Sequence, residues 1–446
     1  MTSWTIPAFV STWINRIALL LDARVRPMLA LVYMGLLCAN ERRRTVTCWF
    51  RAGGIGKEFR RGYGAVGSVG RAAADIAGLL LADLQRSVAL ADAGRLFFAL
   101  DDTPTERYGP HVEGAGLHHN PTPGPSGAPF VYGHSWVTLA QIVSHPQHGM
   151  ISLPLRAELY VRKKDVKRLP KERRWKFRTK IEMAVQLIEW LRMRLNHLQK
   201  PIWLVVDGAY AKRPVLAAAR ANNVNLVSRL RQDAALRSLP PTERPRGKRG
   251  RMPKYGKEAI SLAKRGGHKQ GWQREQMAQY GEVKTKTFKT FEATWQPAGG
   301  AIRVVLVKET TGWLPFFCTE VAATPSDVLE AMADRNTIEQ VFKDVKEVWG
   351  AGQQQLRNLH ANIGAWHLNL WAYTMVELWA WETPEADLVD RSASPWDKEP
   401  RRPSHADRRK SLIRSCLREE YQAALRGPGQ KRKLKQLAKR LLKLAA

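Results

Sequence analysis

Cysteine is scarce in this sequence. The 446 residues include only four, Cys38, Cys48, Cys318 and Cys416, and no two of them form a C-x-x-C pair. Structural zinc sites and disulfide-stapled scaffolds both need cysteines at short or repeated spacings. The scattered positions therefore argue against both classes of protein.

Acidic residues are also in short supply. Asp and Glu together number 40 against 72 Lys and Arg, so the formal net charge is +32. A positive excess of this size indicates a polyanionic partner, most simply nucleic acid, whose phosphates bind cationic surfaces with release of counterions. The surface of an anionic membrane is the alternative partner.

Apolar runs are short as well. The run "MLALVYMGLLCA" at 28–39 has fewer than the roughly 20 residues that a helix needs to span a bilayer. The N-terminal stretch is interrupted by Asn15 and Arg16 and has no leading positive charge, which is atypical of a signal peptide. We expect both stretches to form core helices of a cytoplasmic protein.

The N-terminal region has the pattern of a helical domain. Apolar residues recur at helical spacing in 13–38 and 71–93, and the basic, glycine-containing segment 42–64 lies between them. This pattern predicts a helical domain over 1–93. Segment 42–64 is either a DNA contact resembling a helix-turn-helix or a plain basic surface.

Strands alternate with helices between residues 94 and 235, which indicates an α/β sheet. A basic helix is predicted at about 171–198. The predicted strands are 95–103, 130–143, 149–161 and 201–211. With 44% hydrophobic residues and 16 tryptophans, the chain can form a globular core.

Composition changes sharply beyond residue 235. Segment 238–276 is rich in Pro, Gly, Lys and Arg, which predicts a basic linker ordered by contact with phosphates. Three strand-like stretches follow it at 282–296, 301–309 and 313–321. We therefore assign 236–323 to a linker and β-rich segment and 324–382 to the final helices of the core.

The last segment, 383–446, is predicted to be a basic helical tail. From residue 401 onward it has 15 Lys or Arg against three acidic residues, and it ends in an amphipathic basic helix. Nucleic acid is the favoured partner of this helix, with a membrane surface as the alternative.

One helix carries an unusual set of charges. The segment "DRNTIEQVFKDVKEVWG" at 334–350 predicts a single helix, on which Arg335, Glu339 and Lys346 share one narrow strip. The adjacent core face comprises Ile338, Val341, Phe342, Val345, Val348 and Trp349. The strip is either an exposed ion pair worth a few tenths of a kcal/mol or a ligand contact.

Two predicted strands end in aspartates. Asp101 and Asp102 close the first strand of the core, and Asp207 closes 201–211. A single such residue is commonly a turn residue, but strand ends at one sheet edge are also where α/β folds place ligands. Together with Glu339, three carboxylates at one place would need a cation, and oxygen donors suit Mg²⁺ or Mn²⁺. Such ions promote in-line phosphodiester displacement.

With these residues, part of the chain (about 95–380) resembles the DDE transposases of bacterial insertion sequences. The similar branch cuts and pastes DNA and has a β-rich insertion before its final glutamate. Its first-strand pattern, D-x-[T/S], is similar to Asp101-Asp102-Thr103, with Asp102 as the alternative first acid. Its second aspartate is similar to Asp207 in "VVDGAY".

The final helix of that family carries the pattern Y-x-x-R-x-x-x-E-x-x-x-x-x-x-K. Arg335, Glu339 and Lys346 match its last three positions, whereas Met332 stands at the tyrosine position. In relatives a tryptophan of the insertion stacks on a base flipped out beside the cut. Trp313 is at the similar place, with ordinary core filling as the alternative.

The resemblance implies an α/β fold: a ribonuclease-H-like mixed sheet flanked by helices, with a β-rich insertion and a helical N-terminal DNA-binding domain. It implies that Asp101, Asp207 and Glu339 are catalytic and bind Mg²⁺ (or Mn²⁺). Arg335, Lys346 and Trp313 are then expected to contact DNA.

The implied function is that of a DNA transposase, which cleaves transposon ends and transfers the strands into target DNA. Its implied partners are double-stranded DNA, as terminal inverted repeats and target, and a second copy of the chain in a synaptic homodimer. No membrane is expected, and the protein is expected at the bacterial nucleoid. The alternative function is a catalytically inactive DNA-binding protein, either a repressor or a domesticated transposase.

Overall fold

The computed structural model describes nine parts of the chain: 6–86, 94–120, 127–243, 250–279, 282–381, 383–390, 396, 402–426 and 429–445. Twelve strands in these parts form one mixed sheet, and helices pack on its faces. The predicted α/β class with a mixed sheet flanked by helices is therefore confirmed.

The N-terminal region is helical, as predicted, up to residue 86. Its helices are α1 (Ala8–Ala18), α2 (Arg26–Cys38), α3 (Val46–Gly53), α4 (Phe59–Arg71) and α5 (Ala73–Arg86). The predicted continuation through 87–93 lies outside the described residues. α3 begins after Thr45, whose side chain accepts from the Cys48 N–H, and ends at Gly54 in the left-handed region. Segment 42–64 thus forms two helices joined by a glycine turn.

Glycines bring α4 against a later helix, α12 (Leu359–Ala380). A Cβ on Gly70 would overlap the carbonyl of His360, and one on Gly364 would overlap the carbonyl of Val66. Only glycine permits this backbone approach. As a result, the N-terminal helices share one continuous hydrophobic core with the central sheet.

Membrane-spanning segments were sought among the described residues. None of the individual helices in these parts is both long and apolar enough to cross a bilayer. The pair α4 and α5, which meet at a bend of 70°, reaches that length and composition only when taken together.

The first half of the sheet corresponds to the predicted α/β region. Its strands are β1 (Leu96–Glu106), β2 (Gly116–His119), β3 (Phe130–His145), β4 (Gly149–Tyr160), β5 (Ile202–Val206) and β6 (Val224–Arg229). β3 is antiparallel to β1, β2 and β4, whereas β5 runs parallel to both β1 and β6. β5 ends beside Leu100, at the middle of β1. The prediction that Asp101 and Asp102 close the first strand was wrong, because β1 stays paired with β3 as far as Glu106.

Among the described residues, helices connect these strands: α6 (Lys163–Val166), a 3-10 turn at Lys171–Arg173, α7 (Lys180–Arg194) and α8 (Arg213–Ala221). The prediction of one helix over 171–198 was wrong at its start. Arg174 takes a left-handed conformation, and Thr179 and Glu182 form a capping box that begins α7.

The second half of the sheet continues from β6. Its elements are β7 (Leu236–Arg237), β8 (Ala259–Ile260), α9 (Leu262–Gly267), β9 (Gln273–Gln279), β10 (Glu282–Trp295), β11 (Gly300–Glu309) and β12 (Gly312–Cys318). β12 pairs with β6, so the predicted β-rich stretches extend the same sheet. Segment 238–276, predicted as a linker, contains β8, α9 and part of β9, while its residues 244–249 lie outside the described parts.

The final helices are α10 (Pro325–Asp334), α11 (Thr337–Glu347), α12, α13 (Glu385–Leu388), α14 (His405–Leu425) and α15 (Gln430–Ala445). The prediction of one helix over 334–350 was wrong. Arg335 ends α10 and Asn336 precedes α11. The N–H groups of Asn336 and Ile338 bond three residues back, and this tighter turn redirects the chain.

α14 is part of the core, although its sequence is strongly basic. The buried Glu377 of α12 accepts hydrogen bonds from His405 and Arg408, each at 2.6 Å. Arg409 donates to the carbonyls of Leu37 and Ala39. These cations therefore hold the fold, and in the described part of the C-terminal region the exposed basic helix is α15.

Candidate active site

The alternation of β1 separates the two aspartates at its centre. Phe97 and Ala99 lie on the sheet face that packs against Ile338 and Phe342 of α11. Because strand side chains alternate with a period of two, Asp101 shares that face and Asp102 faces the other way. Only Asp101 therefore lies on the side of the predicted glutamate.

Arg335 joins Asp101 to Glu339. Its Nη1 lies 2.6 Å from Oδ2 of Asp101, and its Nη2 lies 2.9 Å from Oε1 of Glu339. Asp101 and Arg335 are 18% and 12% exposed, whereas Glu339 is 57% exposed. The guanidinium thus links one largely buried carboxylate to one that solvent and ligands can reach.

Asp207 lies at the same sheet edge. β5 ends at Val206, which is in register with Leu100 of the parallel strand β1. Asp101 and Asp207 each come one residue beyond this pair, and parallel register places both on one face. Asp207 is exposed, and it lines the same groove as Asp101 and Glu339.

This groove is open and lined by charges of both signs. Its volume is about 970 Å³, large enough for several nucleotide units. The cations that line it are Arg162, Lys180, Arg335, Lys343 and Lys346. A phosphodiester chain in the groove would therefore meet both cations and carboxylates.

Lys346 ties the far end of α11 to β1. Its Nζ donates to Oγ1 of Thr103 at 2.6 Å, two residues beyond Asp101. Burial lowers the pKa of the Lys346 ammonium to about 8, so it is mainly charged at neutral pH. Despite the helix break, Arg335, Glu339 and Lys346 line one groove.

The donor chemistry of the site fits a hard divalent cation. Asp101, Asp207 and Glu339 offer carboxylate oxygens, which Mg²⁺ and Mn²⁺ prefer. Across the parts of the chain that the structure describes, no three His, Cys, Asp or Glu side chains are close enough together to hold an ion. The guanidinium of Arg335 lies between two of these carboxylates, so an ion would compete with it for the same oxygens.

The structure does not bring Trp313 into the groove. Leu314 and Phe316 of β12 face the space beside Asp207 and Arg335, and Trp313 points to the opposite face of the sheet. There its ring packs against Gly266 of α9. A DNA contact by Trp313 stays a prediction that this geometry does not support.

The sequence analysis named Asp102 only as an alternative first acid and did not identify its two partners, Tyr210 and Lys180. The Asp102 carboxylate accepts from Lys180 Nζ at 2.5 Å and from the Tyr210 hydroxyl at 2.6 Å. The period of two in β1 is the signal that separates Asp102 from Asp101. Nothing in the sequence indicates its two partners, which come from distant segments.

The sequence matches one known protein family. A family model described as DDE superfamily endonuclease matches residues 20–297, more than half of the chain. The chain belongs to the DDE superfamily endonucleases. The match includes Asp101 and Asp207 and ends before Glu339. No curated protein matches the sequence.

The endonuclease is expected to lose activity in acid. Burial raises the pKa of the Asp101 carboxyl to about 6, although Arg335 opposes the shift. Protons and metal ions compete for its oxygens, so at limiting Mg²⁺ we expect cleavage to fall up to about tenfold per pH unit below 6. Initial cleavage rates between about pH 5 and 8 test this. A profile that stays flat across pH 6 would contradict it, and excess Mg²⁺ should move its midpoint to lower pH.

The raised pKa of the Asp101 carboxyl also makes the free energy of unfolding depend on pH. Because the folded-state pKa lies above the ordinary value of 3.8, the folded protein binds the proton more tightly than the unfolded chain. This contribution to the free energy of unfolding is present below pH 3.8 and is lost as the pH rises through 6.

Proposed function

We propose that this chain is a DNA transposase that cleaves the ends of a mobile element and joins them to target DNA. The observation that carries the proposal is the meeting of Asp101 and Glu339 at one guanidinium, in a groove that Asp207 also lines. Asp101 and Glu339 come from a strand and a helix that are far apart in sequence. Carboxylates repel one another, so they have no general reason to lie close together.

The three carboxylates would hold Mg²⁺ or Mn²⁺. When bound, such ions activate a water or a 3′-hydroxyl and stabilise the leaving oxygen in an in-line displacement. The protein's own cations hold the DNA. Lys343 and Lys346 line one side of the groove and Arg162 and Lys180 another, where their charges would bind phosphates flanking the scissile bond.

Binding of the duplex outside the groove is assigned to two basic surfaces. One is the pair α3 and α4 with the preceding arginines, and the other is α15, which packs against α14 and α3. Their proximity would let both contact one DNA end. We further propose terminal inverted repeats and target DNA as substrates, a homodimer in the synaptic complex, and a location at the nucleoid.

The proposal is tested with duplexes taken from both flanks of the gene that encodes the chain. Purified protein should nick them at discrete positions with Mg²⁺, and neither EDTA nor an unrelated duplex should give those nicks. Later products should include strands joined to a second duplex. Tight binding without any nick would instead identify an inactive DNA-binding protein.

Charge removal on α15 is expected to flatten the salt dependence of DNA binding. Lys431, Arg432, Lys435 and Lys439 are exposed on this helix. Replacing all four by Gln should reduce the slope of log K against log salt by about 3 to 4 if each contacts a phosphate. Fluorescence anisotropy across a salt series measures the slope.

A matched variant that exchanges Lys and Arg at these four positions should keep the wild-type slope. An unchanged slope in the Gln variant would show that α15 does not contact DNA. Deletion of the whole of 401–446 is unsuitable as a test. It removes α14 and leaves the buried Glu377 without His405 and Arg408, so the protein should unfold.

A further inference from the structure

We propose that Asp102, Tyr210 and Lys180 form a tether that sets the separation of the Asp101 and Asp207 carboxylates. In this tether Tyr210 is a positioning residue for the metal site. The inference rests on the proposed function, because it concerns the residues assigned there to the metal.

Asp102 lies at the edge of the site. It follows Asp101 in β1 with its side chain turned to the other side of the strand, and it lines the same groove. Both of its carboxylate oxygens are engaged: Oδ1 accepts from the Tyr210 hydroxyl and Oδ2 accepts from Lys180 Nζ. A carboxylate held in this way is suited to structural support.

Tyr210 closes the turn that carries Asp207. The Tyr210 N–H donates to the Asp207 carbonyl at 2.9 Å, which makes residues 207–210 one compact turn. The Tyr210 side chain is 2% exposed, so its ring has little freedom. Motion of the hydroxyl therefore moves the backbone of Asp207.

The tether acts where the strand ladder stops. Pairing between β1 and β5 ends at Leu100 and Val206, one residue before the two carboxylates. Beyond that point the hydroxyl of Tyr210 reaches across from the β5 end to Asp102 of β1. This side-chain bond therefore joins the turn after β5 to β1 beyond their last backbone pair, and we infer that it fixes the distance between the two segments.

Lys180 adds a second contact to Asp102. It begins α7, and its Nζ donates to Asp102 Oδ2 at 2.5 Å, so the carboxylate is held from two directions. Three separate elements, β1, the turn after β5 and α7, thereby meet at Asp102.

Loss of one hydroxyl tests this arrangement. Tyr210→Phe should raise the Mg²⁺ concentration for half-maximal cleavage by about 10-fold or more, as does loss of outer partners of metal ligands elsewhere. Mn²⁺ affinity, measured by electron paramagnetic resonance of the free ion, should fall in parallel. DNA binding in EDTA should match the wild type.

Tyr132→Phe is the matched control. The Tyr132 hydroxyl donates to the Gly109 carbonyl at 3.3 Å, and the residue does not line the groove, so this variant should keep the wild-type metal dependence. Asp102→Asn retains an oxygen acceptor for Tyr210 and should lose less Mn²⁺ affinity than Asp102→Ala. If Asp102 only stabilised the fold, we would not expect the Mn²⁺ affinity of Asp102→Asn to lie between those of Asp102→Ala and the wild type.

Two outcomes separate the tether from the function on which it rests. If Tyr210→Phe and Asp102→Ala both keep wild-type Mn²⁺ affinity and Mg²⁺ dependence, the tether is wrong. If Asp207→Asn also binds Mn²⁺ and cleaves like the wild type, the proposed metal site is wrong as well. Loss in Asp207→Asn alone overturns only the tether.

Discussion

Replacing Glu339 by Gln is expected to abolish strand cleavage while leaving DNA binding near normal. The amide keeps the shape of the side chain but loses the charge that would hold the ion. We expect cleavage to fall by about 10³-fold or more, as for loss of one member of a catalytic unit. A gel that resolves nicked, doubly cut and joined products measures this beside a binding assay.

Glu282→Gln is the control for this prediction. Glu282 is also exposed and also pairs with a nearby cation, Lys284, at 3.0 Å. If Glu339 were only part of a surface ion pair, both variants would cost under about 1 kcal/mol of stability and no activity. Wild-type nicking by Glu339→Gln would therefore remove it from the site.

Arg335→Ala is expected to destabilise the protein in the absence of metal. Arg335 offsets the charge of Asp101, which is largely buried, and of Glu339. Breaking a fully buried pair costs about 3–5 kcal/mol, and partial exposure here reduces the expected loss to about 2 kcal/mol. Urea unfolding in EDTA measures the difference.

Mg²⁺ should restore more stability to Arg335→Ala than to the wild type. The ion and the guanidinium compete for the same oxygens, so removal of Arg335 strengthens metal binding to the folded state, and such binding stabilises it. Arg303→Ala is the control, because Arg303 of β11 pairs with Glu292 of the neighbouring strand β10 at 2.9 Å and neither residue lines the groove. Its loss of stability should be independent of Mg²⁺. Equal Mg²⁺ effects on all three proteins would show that no ion competes with Arg335.

The apolar run before each aspartate could be recognised from the sequence, and parallel pairing brings the two runs side by side. Only Asp207 follows the end of its strand. β1 continues past Asp101 to Glu106 because it stays paired with β3, and this pairing between distant residues could not be predicted from the local pattern. The sequence did not distinguish Asp101 from Asp102. The packing of one face of β1 against α11 places Asp101, rather than Asp102, on the side of Glu339.

Features that depend on contacts between distant segments could not be predicted from local sequence patterns. Arg335, Glu339 and Lys346 line one groove, and their contact with a ligand stays a prediction. The helix break at Arg335 was not predicted, because no Gly or Pro marks it. An ion pair between Arg335 and Glu339 was one of the two alternatives for the strip, but the contact of Arg335 with Asp101 was not predicted, because it depends on the docking of α11 against β1.

The burial of charged side chains in α14 also could not be predicted from composition. The basic sequence of α14 resembles a solvated tail, yet His405, Arg408 and Arg409 are buried. Their partners are Glu377 and backbone carbonyls, which only the tertiary fold brings near. Composition gives the number of cationic side chains, whereas the role of each depends on the groups that it contacts in the folded protein.

Counting the Mn²⁺ ions bound to the protein–DNA complex tests the metal assignment most directly. The wild type should bind about two ions at the groove and nick the DNA. The triple variant Asp101→Asn, Asp207→Asn, Glu339→Gln should bind DNA without these ions and should not nick. Equal ion counts and equal nicking by the two proteins would contradict the assignment of the three carboxylates.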